Sequence, residues 1–114
     1  MESILESIKK LLGIASEYES FDTDIIIHIN TAFSNLNQIG VGPENGFFIK
    51  DSTALWSDFL SDNKNLESVK TYVYLTVRLL FDPPLNSAVL NSMTNTINQL
   101  EWRLNVASEQ SLKE

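Results

Sequence analysis

Cysteine is absent from this 114-residue chain, and histidine occurs once, at His28. The first absence excludes disulfide bonds and metal sites built on thiolates. A zinc site would need several carboxylates around His28, and a catalytic triad would need a serine and an acid beside it, which no spacing suggests. We therefore interpret His28 as a packing or surface residue, and the sequence indicates no metal site and no cofactor.

Long hydrophobic runs are also missing. No apolar run approaches the roughly 18 residues that suggest a membrane span. The first ten residues, MESILESIKK, carry acids and lysines within their apolar pattern and do not resemble a signal peptide. The sequence therefore predicts no membrane partner.

Glycine is scarce, and its placement does not fit a phosphate-binding loop. Gly40, Gly42 and Gly46 follow a predicted helix rather than a strand, and no Lys-Ser or Lys-Thr pair closes the segment. Since no acid–base pair or activated nucleophile is signalled either, we predict no catalytic residues. The pattern favours a structural or interaction protein over an enzyme.

Positive charge is missing from a long internal region. Between Leu11 and Ile49 there is no lysine or arginine, and the formal charge of the chain is -7. The charged residues of this region are Glu17, Glu19, Asp22, Asp24 and Glu44. Their spacing lacks the sixth-position glycine and the closing glutamate of a calcium loop. Because acids repel phosphate, the region is either a solvated face that keeps the protein soluble or a face that DNA passes without binding.

What the chain has is apolar residues at helical spacing, 43% of its composition, in a length that suits one domain, residues 1–114. The stretch from Val69 to Pro84 is apolar on nearly every side, which predicts a helix in the middle of the fold. Pro83 and Pro84 end this helix, because proline donates no amide and disfavours helical geometry in the preceding residue. Its principal face is Val69, Tyr72, Val73, Thr76, Val77 and Leu80.

Two amphipathic helices are predicted before this central one. The first covers Ile4–Leu12, with Ser3 and Glu6 in a capping-box pattern and Gly13 as its stop. The second is capped by Asp22 or Thr23 and ends at Gly40. Its apolar stripe is Ile25, Ile26, Ile29, Phe33, Leu36 and Ala32.

A loop and a short helix connect the second helix to the central one. Turn signals mark the loop Val41–Lys50, in which residues 47–49 form a short extended piece. Residues 51–53 supply caps for a short helix around Trp56 and Phe59, and the polar residues 61–65 lead to the central helix.

The last helix begins at Asn86 or Ser87, and its polar tail, residues 107–114, is predicted to be flexible. Its seam is Leu90, Met93, Ile97, Leu100 and Leu104. The connection after the central helix is short, so the two should form an antiparallel hairpin. The predicted fold class is all-α: a small bundle of three longer helices and one or two short ones.

Some residues are candidates for protein contacts rather than for the core. Arg78 is the sole charge in an apolar run, so it pairs either within the fold or across an interface. Trp102 lies off the seam of the last helix, between Glu101 and Arg103, and is either a core or a contact residue. The candidate interface residues are Phe47, Phe48, Arg78, Trp102, Arg103 and Val106.

The order of several segments resembles the head–tail connector proteins of tailed phages. The likeness covers nearly the whole chain, from about Ile4 to Asn105, and leaves residues 13–20 and 107–114 unmatched. The segments that carry it are DTDIIIHIN (22–30), NQIGVGP (37–43), WSDFL (56–60), VKTYVYLTVRLLFDPP (69–84) and LEWRLN (100–105).

This resemblance implies a head-completion adaptor with a helical-bundle fold. Such proteins form a homo-oligomeric ring beneath the portal protein, extend the DNA channel without binding DNA specifically, and present a platform for the next connector, stopper or tail protein. The resemblance also implies a place in the virion at the head–tail interface, after assembly in the cytoplasm of the bacterial host. Docking on the portal would use the end of the last helix and the tail.

Two other interpretations remain open at this point. The chain could be a small helical adaptor or regulator that binds a protein partner as a monomer or dimer. It could also be a small hydrolase or metal enzyme, in which case replacing His28 and the acids of residues 17–24 would abolish an activity. Light scattering with and without portal protein separates the connector from the adaptor.

The seam of the last helix generates a direct test. Because Leu100 is predicted to lie in the core, Leu100→Ala should lower the free energy of unfolding by about 2–5 kcal/mol. Denaturant unfolding measures this loss. A loss below about 1 kcal/mol would mean that the register of the hairpin is wrong.

Overall fold

The computed structural model describes residues 2–60 and 65–113, the side chains of 110–113 excepted, and these residues form five α-helices and no strand. The all-α prediction is confirmed. The polar connection predicted over 61–65 lies, for residues 61–64, outside the described residues. The helices are α1 (Ile4–Leu12), α2 (Asp22–Gln38), α3 (Trp56–Phe59), α4 (Leu66–Phe81) and α5 (Ser87–Lys113).

Helix α1 has the predicted ends. The Ser3 hydroxyl accepts a hydrogen bond from the Glu6 backbone N–H at 3.3 Å, and Gly13 adopts a left-handed conformation with φ 80°. The second half of the predicted capping box is replaced, because the Glu6 carboxylate accepts from the Ser16 hydroxyl instead. Three apolar side chains of α1, those of Ile4, Leu5 and Ile8, are buried in the domain, so this short helix docks on its own subunit.

Lys9, also on α1, is fully buried. Its ammonium donates to the backbone carbonyls of Ser16 at 3.0 Å and Tyr18 at 2.8 Å, and lies 2.9 Å from an Asp22 carboxylate oxygen. The two carbonyls each accept a hydrogen bond from the ammonium, and the Asp22 carboxylate pairs with its charge. The charge is thereby compensated, and the connection between α1 and α2 is fixed at three points.

This ion pair corrects the predicted start of α2. The cap was expected from the side chain of Asp22 or Thr23, but the helix already includes Asp22, and Phe21 occupies the cap position without a side-chain hydrogen bond. The Asp22 carboxylate contacts Lys9 instead, and its negative charge in the first turn favours the helix dipole. The predicted stripe is otherwise confirmed: Ile25, Ile29, Ala32, Phe33 and Leu36 are buried, and Ile26 is half-buried.

The loop between α2 and α3 is fixed by one side chain of α2. The Asn30 amide donates to the Ile49 carbonyl at 3.1 Å and accepts from the Ile49 N–H at 2.8 Å. It satisfies both backbone groups of Ile49, which explains why the predicted extended piece over 47–49 needs no partner strand. The neighbouring Phe47 ring packs edge-on against Phe33, with centroids 5.1 Å apart.

Helix α3 starts later than its predicted caps. The Asp51 carboxylate accepts from the Thr53 N–H at 2.9 Å and closes a turn before the helix. The carboxylate of Asp58 then accepts from the Leu55 N–H at 2.8 Å. Trp56 and Phe59 are buried, so this single helical turn places two aromatic rings in the core.

Helix α4 is the central element, since it packs against α1, α2 and α5. The predicted face is confirmed at five of its positions, all buried: Val69, Tyr72, Val73, Thr76 and Val77. The prediction was wrong for Leu80, which is 50% exposed. This residue lies in the last turn of α4, immediately before the chain turns away at Asp82.

The short connection between α4 and α5, residues 82–86 and called the elbow below, leads into α5 as predicted. The Asn86 side chain accepts from the N–H groups of Ala88 and Val89, at 2.8 and 3.2 Å, and caps the helix. In the seam of α5, Leu100 and Leu104 are buried, whereas Leu90, Met93 and Ile97 are half-buried. The hairpin is thus packed most tightly at the end away from the elbow.

Polar contacts also anchor the distal half of α5. Asn105 and Ser108 donate to the carbonyls of Ile39 and Gly40, at 3.2 and 2.7 Å. Helix α5 continues to Lys113, while the flexibility of residues 107–114 stays a prediction.

Lys9 provides a test of this packing. Replacing it by methionine keeps the apolar length of the side chain but leaves two carbonyls and the Asp22 carboxylate without their donor. Because Asp22 is partly exposed, we expect Lys9→Met to lower the free energy of unfolding by about 2–3 kcal/mol, less than for a fully buried pair. Urea unfolding followed by circular dichroism measures the loss.

Lys10→Met is the matched control, since Lys10 is the next residue of the same helix and is exposed. Its effect should stay within about 0.5 kcal/mol. Equal effects of the two substitutions would show that the Lys9 contacts contribute nothing.

Candidate interaction surfaces

No group of three or more histidine, cysteine, aspartate or glutamate side chains that could hold a metal ion occurs among the described residues. The ring of His28 is half-buried and lies 6.4 Å from the ring of Phe81, centroid to centroid. It makes an aromatic contact at the end of α4. The geometry around His28 supports packing rather than catalysis.

An open cleft of about 600 Å³ lies between the C-terminal ends of α2 and α5. Gly40, Gly42 and Leu104 line it, and Glu44 is the sole ionisable side chain among the described residues of its lining. A single carboxylate among the described lining residues is not a pair of groups for general acid–base chemistry.

One strongly perturbed ionisable group lies in the hairpin. The Tyr72 hydroxyl donates to a carboxylate oxygen of Glu101 at 2.7 Å and joins α4 to α5. Burial, followed by this hydrogen bond and the negative charge of Glu101, raises the pKa of the Tyr72 phenol well above its ordinary value. The perturbed group therefore holds the hairpin together rather than serving an exposed site.

The end of α5 presents the predicted contact residues around Trp102. The Trp102 side chain is 69% exposed, Arg103 is exposed and Val106 is half-buried. Tryptophan and arginine are both enriched among the residues that contribute most to binding at the centre of protein interfaces. The alternative core position for Trp102 is excluded by its exposure.

The other predicted residues lie on different elements. Phe48 is 68% exposed, whereas the ring of Phe47 packs against Phe33 and Phe59 within the subunit. Arg78 is half-buried, and its Nε is buried without a hydrogen-bond partner among the described residues. No ion pair of Arg78 occurs within the described part of the chain. The six candidates therefore come from three different elements: the α2–α3 loop, α4 and α5.

The sequence patterns did not predict a further exposed surface, which is formed by aromatic rings. Tyr18 and Phe21 are 48% and 41% exposed, and their ring centroids are 5.5 Å apart. Phe21 in turn meets Phe81 edge-on at 5.3 Å. These residues come from the α1–α2 connection and the end of α4, so only the fold brings them together. The available signal was the presence of two aromatic residues in a connection without any lysine or arginine.

Exposed carboxylates flank these rings in the sequence. Glu17 and Glu19 lie on either side of Tyr18, Asp24 is in the first turn of α2, and Asp82 follows Phe81; all four are exposed. Together with these acids, the rings of Tyr18, Phe21, His28 and Phe81 are called the acidic aromatic patch below.

The elbow is a third exposed apolar region. Leu80, Leu85 and Val89 are 50%, 104% and 47% exposed, and the chain from residue 83 to residue 100 has no charged side chain. Depletion of charge on an exposed surface is typical of protein interfaces. Among the described helices, none is both long and apolar enough to cross a membrane.

A family model with the description "Phage connector protein" matches residues 4–111 of the chain. The match includes all helices from α1 to α4 and nearly all of α5. No curated protein and no solved structure shows a significant similarity to the chain.

The burial of the Tyr72 phenol, together with its hydrogen bond to Glu101, predicts a late titration. A raised pKa means that the fold favours the protonated phenol, so this contribution to stability is complete below pH of about 10, the ordinary pKa of tyrosine, and is lost as the pH rises further. We expect the phenolate absorbance that disappears in Tyr72→Phe to develop only above that pH, together with unfolding. Parallel absorbance and circular dichroism titrations of the two proteins measure it. A Tyr72 signal that develops by pH 10 in the folded protein would contradict the burial of the phenol.

Proposed function

Because the chain belongs to the phage connector protein family, we propose that it is the subunit of a ring that forms beneath the portal protein and extends the DNA channel of a tailed phage. The family is structural and is not a known class of enzyme. The observation that carries the proposal is the family match over residues 4–111 of the 114. The exposed surfaces of the subunit supply the physical support.

A ring needs two different complementary patches on one subunit, because a head-to-tail contact repeats until the rotation closes. The subunit has separate exposed surfaces at the acidic aromatic patch, the elbow, Phe48 and Trp102. Contiguous exposed apolar patches mark protein–protein contacts more often than single scattered residues do. These surfaces support a subunit that binds neighbouring subunits through its exposed apolar residues.

The charge of the chain suits a DNA conduit. The subunit has a formal charge of -7, and residues 12–48 contain no lysine or arginine. A channel lined by such a surface forms few attractive phosphate contacts, so DNA would pass through without specific binding. A ring structure with a bore lined chiefly by lysine and arginine would contradict this part of the proposal.

For attachment to the portal, we propose the distal end of α5. This end, the part of α5 that follows Asn105, continues as a helix to Lys113. Surfaces of the ring away from the portal would then receive the next connector, stopper or tail protein. In this proposal the subunit is assembled in the cytoplasm of the bacterial host and remains at the head–tail interface of the virion.

The role of the distal end of α5 is tested by truncation after Asn105. The shortened chain keeps Leu100 and Leu104 in the core and loses the Ser108 hydrogen bond to Gly40, about 0.5–1.5 kcal/mol. We expect it to remain folded and to bind purified portal protein at least tenfold more weakly than the full chain. Circular dichroism measures the fold, and light scattering of the mixed proteins measures the binding.

Ser108→Ala is the control, because it removes the same hydrogen bond while keeping the rest of the helix. It should bind the portal like the full chain. Unchanged binding of the truncated chain would refute the role of the tail. A uniform population of monomers or dimers that portal protein does not change would instead favour the small adaptor or regulator.

A further inference from the structure

We propose that the acidic aromatic patch of one subunit receives the Trp102–Arg103 surface of a second copy of the chain. This inference rests on the proposed ring and names the two surfaces that meet in it. The contact is head-to-tail, because each subunit contributes one surface of each kind to different neighbours.

The patch requires a partner that is both apolar and positive. Its rings are partly exposed although they contact one another, with Tyr18 at 48% and Phe21 at 41%. The exposed acids that flank these rings have no ion pair within the described chain: Glu17, Glu19, Asp24 and Asp82. An arginine suits such a surface, because its guanidinium pairs with carboxylates and stacks on aromatic rings.

The subunit has few cations that could fill this role. Lys9 is buried against Asp22, Lys70 pairs with Glu2, and Arg78 is half-buried. The exposed cations of the described residues are Lys10, Lys50 and Arg103. Each lies without an ion pair in that part of the chain.

Of these three, Arg103 and Lys50 have an exposed aromatic side chain close in the sequence, Trp102 and Phe48. Arginine and tryptophan are enriched at interface centres, whereas lysine is depleted there. The Trp102–Arg103 surface is therefore the better complement of the acidic aromatic patch. The Phe48–Lys50 surface is the alternative that the experiment must exclude.

The two surfaces of one subunit cannot satisfy each other. Phe81 lies at the elbow, where α5 begins at Ser87, and Trp102 is 15 residues further along this helix. At 1.5 Å per residue this separates the two surfaces by about 22 Å along the helix axis. The complement of each surface must come from another molecule, and two different patches give a heterologous contact that can close into a ring.

The absence of cysteine from the chain makes a clean crosslinking experiment possible. Thr23→Cys places a thiol beside Asp24, and Gln99→Cys places one a helical turn before Arg103; both positions are exposed. The double variant, treated with a short bis-maleimide in the presence of portal protein, should give a ladder of dimers, trimers and larger species on a denaturing gel. Each single variant should give no species larger than a dimer.

A charge exchange tests whether the named groups carry the contact. Arg103→Glu in the double-cysteine protein should reduce the ladder at least tenfold, and replacing Glu17, Glu19 and Asp24 by lysine in that protein should restore it. Lys50→Glu is the matched control and should leave the ladder unchanged. High salt should weaken the ladder, because exposed charge pairs are screened.

The outcomes separate this contact from the proposed function. A second double variant, Thr23→Cys with Ser52→Cys, places a thiol close to Lys50 instead of Arg103. If the ring assembles on the portal but only this variant gives the ladder, the proposed contact is wrong while the proposed ring is retained. A ring with no ladder from either pair would also overturn it. If Thr23→Cys alone gave as much crosslinked dimer as the double variant, the contact would be two-fold, and this result would also overturn the proposed head-to-tail contact. A chain that does not assemble with the portal at all would refute the proposed function itself.

Discussion

The buried ammonium of Lys9 is the contact on which the arrangement of the N-terminal half depends. A charge with no access to water is stable only when it is paired and hydrogen-bonded, and here two carbonyls accept hydrogen bonds from the ammonium while one carboxylate pairs with its charge. The carbonyls belong to the α1–α2 connection and the carboxylate to α2. One side chain thereby sets the path of the connection and the start of the next helix, and it determines where Tyr18 and Phe21 emerge at the surface.

Many of the aromatic residues fall into two groups, one packed inside the subunit and one exposed on its surface. One group, with Phe33, Phe47, Trp56 and Phe59, packs inside the subunit with centroid distances from 4.6 to 6.2 Å. Gly42 permits this packing, since its backbone lies so close to the Phe59 ring that a Cβ atom would clash with it. The other group, with Tyr18, Phe21, Phe48 and Trp102, is exposed. A structural protein that works through neighbours has a use for both groups.

Helical periodicity predicted the helices and most of the core, because apolar spacing reports directly which face is buried. The buried faces of α2 and α4 were predictable in this way, and the end of α4 was predictable from Pro83 and Pro84. The Lys9 pair was not, since a lysine at the C-terminal end of a short helix is ordinarily solvated. The exposure of Leu80 and the contact between Phe21 and Phe81 depend on where the ends of separate helices lie relative to one another. The candidate surfaces were therefore predictable on α5 and in the 47–48 segment, where a residue lies off a seam, and not where the fold assembles them.

The amide of Asn30 has a consequence for recognition at the neighbouring loop. By bonding both backbone groups of Ile49, it removes conformational freedom from a segment that would otherwise sample many shapes. The exposed ring of Phe48 is carried on a backbone that is already ordered before any encounter. A protein that docks there loses little additional backbone entropy on association, so even a small apolar footprint at this position can contribute to affinity.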